Sequence, residues 1–326
     1  MIRSMVFLFA FLFQSAGINR EQVFERRPIE TNHAATPILW TIDFSADGKF
    51  YAIGGDDGFL RLYTPQKHKL INSYKLPGAV QCLDWSSDSK ILAIAIDDRP
   101  VQLLTIATLK FQEIKGVTGS RTLAWNYNSE LLAIGDYSGT LQIINREGEL
   151  IKSIKKGSNK TYLSLDWHPK RNIILTGSDK IRLFDTSGNI LKTIKHRSEE
   201  TPILTVRWHP GGHFFATGDY GETENNIESL LQFWNEDGTL IKSLLGSQAE
   251  YRNIRWNKSG ELLATASDEL RIWSKDGKVI YSGKSDNLLW GIDWNSTNNS
   301  IITTSQKGNI NLWSSEAKLV MNIFNY

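Results

Sequence analysis

The chain has 326 residues, 40% of them hydrophobic and 22% charged, a balance that suits a packed globular body and excludes a disordered or collagen-like chain. Lys and Arg number 37 against 35 Asp and Glu, a formal charge of +2, so no global field draws the protein to nucleic acid and no such partner is expected. Its single cysteine, Cys82, cannot close an internal disulfide, which excludes a fold held by such bridges.

In chain order, residues 1–17 stand apart. Arg3 precedes an apolar run at 5–13, and small residues follow at Ser15, Ala16 and Gly17. This is the three-part layout of a secretory signal peptide, and the run falls short of the roughly 20 residues of a spanning helix. Export to the periplasm or the exterior is expected if it is cleaved, and a cytoplasmic protein if it is not. A buried N-terminal strand is the alternative. No stable membrane span is expected. Residues 18–36 read as a polar connector, or as an outer strand added through residues 22–26.

From residue 37 a short-strand pattern begins. Residues 38–44 (ILWTIDF) alternate and are rich in β-branched and aromatic side chains, as a strand should be. Asp47 and Gly48 supply a tight hairpin turn. Residues 50–54 form a nearly all-apolar second strand, suited to burial on both faces. A turn at 56–58, a third strand at 59–63 and a fourth at 70–74 complete the unit.

The plan recurs. Phe44, Trp85, Trp125, Trp167, Trp208, Trp256 and Trp294 each follow an apolar-x pair and open a hydrophilic turn, at spacings of 41, 40, 42, 41, 48 and 38 residues. Four antiparallel strands per 40-residue period predict an all-β fold, a seven-bladed β-propeller of four-stranded blades spanning 37–326. A lone blade cannot bury both faces of its sheet, whereas blades stacked into a closed ring can. The 11 Trp residues cluster at the repeat positions, so core packing between blades is their expected role. The last unit carries its own fourth strand at 319–324, so ring closure does not require the N-terminal segment.

The strings LLAIGDYSGTLQII, IILTGSDKIRLFD and LLATASDELRIW resemble the second and third strands of the WD-repeat family, and the resemblance covers residues 37–324. It implies a rigid platform for protein partners rather than an enzyme. The chain departs from the family pattern in several places. The Gly-His pair before the first strand is missing, with His33 and His196 nearby but too early. The Trp-Asp pair survives only as Phe184-Asp185. The turn Asp stands at Asp57, with Asp98, Asp179 and Asp268 as further candidates, and Ser138 replaces it in the third unit. The family's buried Asp–His–Ser/Thr–Trp network is therefore expected to be mostly absent.

The resemblance implies that the loops before the first strand and between the second and third strands share one face, here called the top, and two features interrupt the repeat there. The fifth unit has an insertion at 218–229 between two short neighbours, a projecting loop suited either to contacting a partner or to plain solvation. It carries Tyr220, Glu222, Glu224 and Glu228. With Asp219 these carboxylates have calcium-binding chemistry, but their spacing matches no calcium loop. The second feature is a ring four positions before each repeat aromatic: Trp40, Gln81, Arg121, Leu163, Leu204, Arg252 and Trp290. Two Trp and two Arg at one rim are the residue types that dominate interface energies. Strand parity places both Trp on the face of the core aromatics, which favours packing between blades.

Beside each aromatic stands a charge, Asp43, Asp84, Asp166, Arg207, Arg255 and Asp293, with Ala124 breaking the series. Buried charges need partners, so Asp166–Arg207 and Asp293–Arg255 are expected as ion pairs across blade seams. A carboxylate cluster for acid–base work is the functional alternative. His209 and His213 flank a hairpin, read as solvated turn residues without a third ligand. Asn159, Asn295 and Asn298 open glycosylation sequons, a pattern common by chance. There is no phosphate loop, nucleophile elbow or zinc-protease motif. No cofactor, metal or catalytic residue is expected. The expectation is a non-enzymatic, monomeric propeller acting within a complex. A protein or peptide would contact Trp40, Arg121, Arg252, Trp290, Tyr220, Glu222, Glu224 and Glu228 on the top face. A propeller enzyme or lectin using the channel mouth is the alternative.

Overall fold

Each 40-residue unit folds where its turn chemistry allows the chain to reverse. In the first unit, Gly48 takes φ +67° between strands Leu39–Phe44 and Tyr51–Gly55. Strands Phe59–Thr64 and Lys69–Lys75 complete the sheet. The computed structural model describes residues 36–117, 119–155, 160–197, 200–221 and 227–324. The expected signal peptide and all of the 18–36 segment but Thr36 lie outside the described residues. So do Glu222, Glu224 and Asn159.

Seven four-stranded antiparallel sheets follow one another along the chain, paired in sequence order, at 39–75, 80–113, 120–154, 164–194, 203–244, 253–284 and 289–324. They are numbered here as blades 1 to 7. The all-β, seven-bladed architecture is the one the periodicity predicts. The second strands are buried almost throughout, as in Tyr51–Gly55 and Ile301–Ser305, and the fourth strands form the exposed rim, as in Leu150–Ile154 and Val279–Lys284. Among the described residues no helix is long and apolar enough to cross a membrane.

The core lies between blades. One cluster joins Leu60 and Leu62 of blade 1 to Val80, Leu83, Trp85 and Leu92 of blade 2. Another joins Ile302 and Ile310 of blade 7 to Leu39, Ile42 and Tyr51 of blade 1. Trp125, Trp167, Trp208 and Trp294 occupy the matching wedges. Each large ring removes on the order of 150–250 Å² from water, roughly 4–6 kcal/mol. Glycine at the end of a second strand lets the next blade close in. At Gly218 an added Cβ would stand 2.5 Å from Tyr251 Cβ, and at Gly135 2.7 Å from Tyr162 Cβ.

Among the described residues the ring closes with a blade 7 that supplies its own fourth strand. Strand Leu319–Phe324 pairs within blade 7, and blade 1 meets blade 7 through the Thr304 hydroxyl, which donates to Leu39 O at 2.7 Å.

Of the buried hydrogen-bond network, the Trp–Thr link survives in three blades. Indole N–H groups of Trp234, Trp273 and Trp313 donate to Thr217, Thr265 and Thr303 at 3.0, 3.1 and 2.8 Å. In blade 5 His196 Nε2 lies 3.3 Å from Asp219 Oδ2, near each other but without a hydrogen bond between them. His196 reaches from before the first strand because the chain spacing it needs is set in three dimensions. Burial pulls His196 down to about 4 and pushes Asp219 up to about 6. Elsewhere a third-strand arginine takes over the turn aspartate: Arg61 pairs with Asp57, Arg182 with Asp179 at 2.9 Å, and Arg271 with Asp268 at 2.6 Å.

Candidate functional site: the top mouth of the channel

The seven rim residues line one cavity of about 60 Å³ at the start of the innermost strands. A repeated backbone irregularity places most of them there. The pairing of first and second strands slips by one residue between Leu39 and Thr41, between Val80 and Cys82, and between Ile203 and Thr205. It also slips between Ser120 and Thr122, and between Leu289 and Ile292. These shifts leave Trp40, Gln81, Leu204, Arg121 and Trp290 without a ladder partner. A bulge breaks the two-residue alternation and re-aims the extra side chain. Both Trp therefore depart from the strand parity that favours packing between blades. Each is half-buried and lines the cavity, outside the interblade clusters.

Arg252 organises one side of the mouth. Its guanidinium lies 3.9 Å from the ring centre of Trp290 and 5.7 Å from that of Tyr220, and it pairs with Glu250. Stacking a cation between two aromatic faces contributes about 0.5–2 kcal/mol per ring. Tyr220, at the root of the blade 5 insertion, is thereby joined to blades 6 and 7. The root itself is stapled by Asp219, whose Oδ1 accepts from Leu230 N at 2.7 Å and from Gly221 N at 3.1 Å, with Arg197 alongside. Asp219 is thus engaged internally. Glu228 is exposed.

Below the rim lies a second tier, Thr41, Cys82, Thr122, Ser164, Thr205 and Asn253. Sequence reasoning passed over it, although small polar residues recur three positions before the aromatics. Deeper still, Asp84, Asp166, Arg207 and Arg255 line a second cavity of about 220 Å³.

The deep aspartates clasp neighbouring blades through the backbone. Asp293, Asp43, Asp84 and Asp166 accept from the N–H of Phe44, Trp85, Trp125 and Trp208 at 2.7, 2.8, 2.6 and 2.7 Å. Each carboxylate therefore has a structural task at the seam. Asp293 also meets Arg255 at 3.5 Å, as expected, and Asp43 lies 3.9 Å from the same guanidinium. The expected Asp166–Arg207 pair does not form. Arg207 Nη1 donates instead to Val206 O at 2.8 Å and Leu165 O at 3.1 Å. Burial pushes Asp84 and Asp166 up to about 7 and raises Asp43 and Asp293, while Arg255 opposes the rise at all four.

His209 is not a solvated turn residue. Its ring stacks on Phe214 at 4.3 Å and meets Trp256 edge-on at 4.9 Å, with Nε2 2.9 Å from Gly260 O.

The family model described as WD domain, G-beta repeat, matches residues 26–64 and 188–223. Among curated proteins the chain is similar to eukaryotic translation initiation factor 3 subunit I of Phaeosphaeria nodorum, at 32% identity over 78 residues, 24% of each chain. It is also similar to the F-box-like/WD repeat-containing protein TBL1X of Mus musculus, at 26% identity over 131 residues, 36% of this chain and 24% of that one. The alignments span about a quarter of these relatives' length. With seven four-stranded blades, the Trp–Thr hydrogen bonds of three of them and these repeat matches, the chain belongs to the WD-repeat family.

Proposed function

We propose that the protein is a non-enzymatic platform that binds a protein or peptide partner at the top mouth of its channel. The observation that carries this reading is the mouth itself: bulges turn Trp40, Arg121 and Trp290 into the cavity that Arg252 also lines. Large half-buried aromatics and arginines at the centre of a rigid rim are the residues on which binding energy concentrates. The propeller holds them on closed sheets, so little ordering cost attends binding. The deep aspartates do not favour an acid–base role, since each already accepts a backbone N–H of the next blade. We propose also that the protein works after export, on the layout of residues 1–17.

The test is affinity capture from the native host with the wild type and a Trp40→Ala, Arg252→Ala, Trp290→Ala triple variant, both confirmed folded. A partner retained by the wild type and lost by the variant supports the platform and its face. Equal capture by both moves the partner to another surface. No partner with either, together with binding of a sugar on a glycan array that Trp290→Ala abolishes, replaces this reading with a lectin.

A further inference from the structure

We infer that the mouth is a carboxylate-binding site, and that the partner segment it takes is an acidic peptide whose Asp or Glu side chain enters between Trp40, Trp290 and Arg121. This rests on the platform reading above and adds the chemistry of the ligand.

The lining of the mouth cavity carries the argument. It contains four arginines, Arg121, Arg207, Arg252 and Arg255, and no carboxylate. The aspartates of the channel lie on the far side of Arg207 and Arg255, which line both cavities. Two of the four cations have no acidic partner within ion-pair distance. Arg207 is held by the two main-chain carbonyls of Leu165 and Val206. Arg121 has no hydrogen-bond or ion-pair partner among the described residues, and the positive charge it presents acts unfavourably on Arg252. Two like charges facing one small space are stable together when an anion joins them.

The unmet donors agree. Trp40 Nε1, Trp290 Nε1 and Arg252 Nε are buried with no acceptor. A buried donor left unmet is costly, and three around one cavity mark a place where an acceptor belongs. Arginine and indole N–H groups donate and do not accept, so the complementary ligand is rich in acceptors and negatively charged. A cavity of about 60 Å³ admits a carboxylate-sized group and not a folded element. The flanking Trp40, Trp290 and Tyr220 faces suit the apolar stem of the inserted side chain. Arg121 is the residue that distinguishes this proposal, because it makes no hydrogen bond or ion pair among the described residues.

The test uses the full chain and fluorescein-labelled hexaglutamate and hexaglutamine peptides, followed by fluorescence anisotropy, with glutarate and inorganic phosphate as competitors. The expected result is binding of hexaglutamate but not hexaglutamine. That binding should weaken with salt, fall by about tenfold or more in Arg121→Gln, and yield to glutarate at lower concentration than to phosphate. Thermal melts confirm that Arg121→Gln is folded. Equal binding of the two peptides, or hexaglutamate binding unchanged in an Arg121→Gln, Arg252→Gln double variant, overturns the proposal. Stronger competition by phosphate also overturns it and reassigns the site to phosphorylated ligands. The two readings separate cleanly. A captured partner that needs Trp40 and Trp290 but ignores both glutarate and Arg121→Gln leaves the platform standing and removes the carboxylate. Hexaglutamate binding through Arg121 with no partner captured supports the carboxylate site and counts against the platform.

Discussion

Asp43 and Trp85 hold each other twice across the seam between blades 1 and 2. The Trp85 backbone N–H donates to Asp43 Oδ2 at 2.8 Å, and the Trp85 indole N–H donates to Asp43 O at 3.0 Å. One residue thus fixes both the strand and the wedge of its neighbour. Asp43→Ala strands a buried N–H and withdraws a carboxylate from Arg255, and should cost about 1–3 kcal/mol. Asp43→Asn keeps an acceptor and should cost less. Urea unfolding of the three proteins checks the order; equal losses for Ala and Asn would assign the effect to charge rather than to the clasp.

The channel aspartates make stability depend on pH. Burial pushes Asp84 up to about 7 from an ordinary 3.8. A carboxyl with a raised folded value binds its proton more tightly folded than unfolded, so its contribution is complete below pH about 4 and is lost as pH rises through about 7. Asp84→Asn retains an acceptor for the Trp125 N–H without the charge. Its stability should gain on that of the wild type as pH rises from 5 to 8, by about 1 kcal/mol or more. Urea midpoints of both proteins at the two pH values decide this, and comparing them cancels the histidines. A difference that does not change with pH would show Asp84 ionising as freely as in the unfolded chain.

Gly218 sits where blade 6 closes on blade 5. Gly218→Ala places a methyl 2.5 Å from Tyr251 Cβ and 2.9 Å from Thr205 Cγ2, and should destabilise by about 1–3 kcal/mol through overpacking. Differential scanning calorimetry should show a lower Tm. An unchanged Tm would mean that the seam opens to accept the methyl at little cost.

The blade 5 insertion is rooted at the rim through Tyr220 and Arg252. Deleting residues 222–228 should weaken partner capture while leaving the melting transition within a few degrees of the wild type. Undiminished capture would remove the loop from the binding face.

Processing of the N-terminus is checked by intact mass of the protein from its native host. The expected mass corresponds to loss of about 17 residues. A full-length mass would return the protein to the cytoplasm and leave the binding face unaffected.

Much of this architecture was legible in one dimension. Seven aromatics at a 40-residue period announced seven blades, and Asp47-Gly48 announced a hairpin, because turns and strand alternation are written in neighbouring residues. The rim was legible as a set, since all seven positions do meet at one cavity. Its orientation was not. Parity read Trp40 and Trp290 as packed between blades, and the bulges that reverse this depend on how two strands pair, which no single strand records. The ion pairs divided in the same way. Asp293–Arg255 formed, but Asp166 accepts from the Trp208 N–H, 42 positions along the chain, while Arg207 turns to main-chain carbonyls.

By itself, then, the sequence determined the strand plan, the blade count and the positions that repeat, because local propensity and periodicity act between residues close in the chain. Tertiary structure alone decided which of those positions open into the channel, which carboxylates clasp a backbone, and that four arginines line one mouth, Arg252 and Arg255 with acidic partners and Arg121 and Arg207 without. Those outcomes depend on register between strands and on contacts between blades, where the competing partners are set by distance in space rather than distance along the chain.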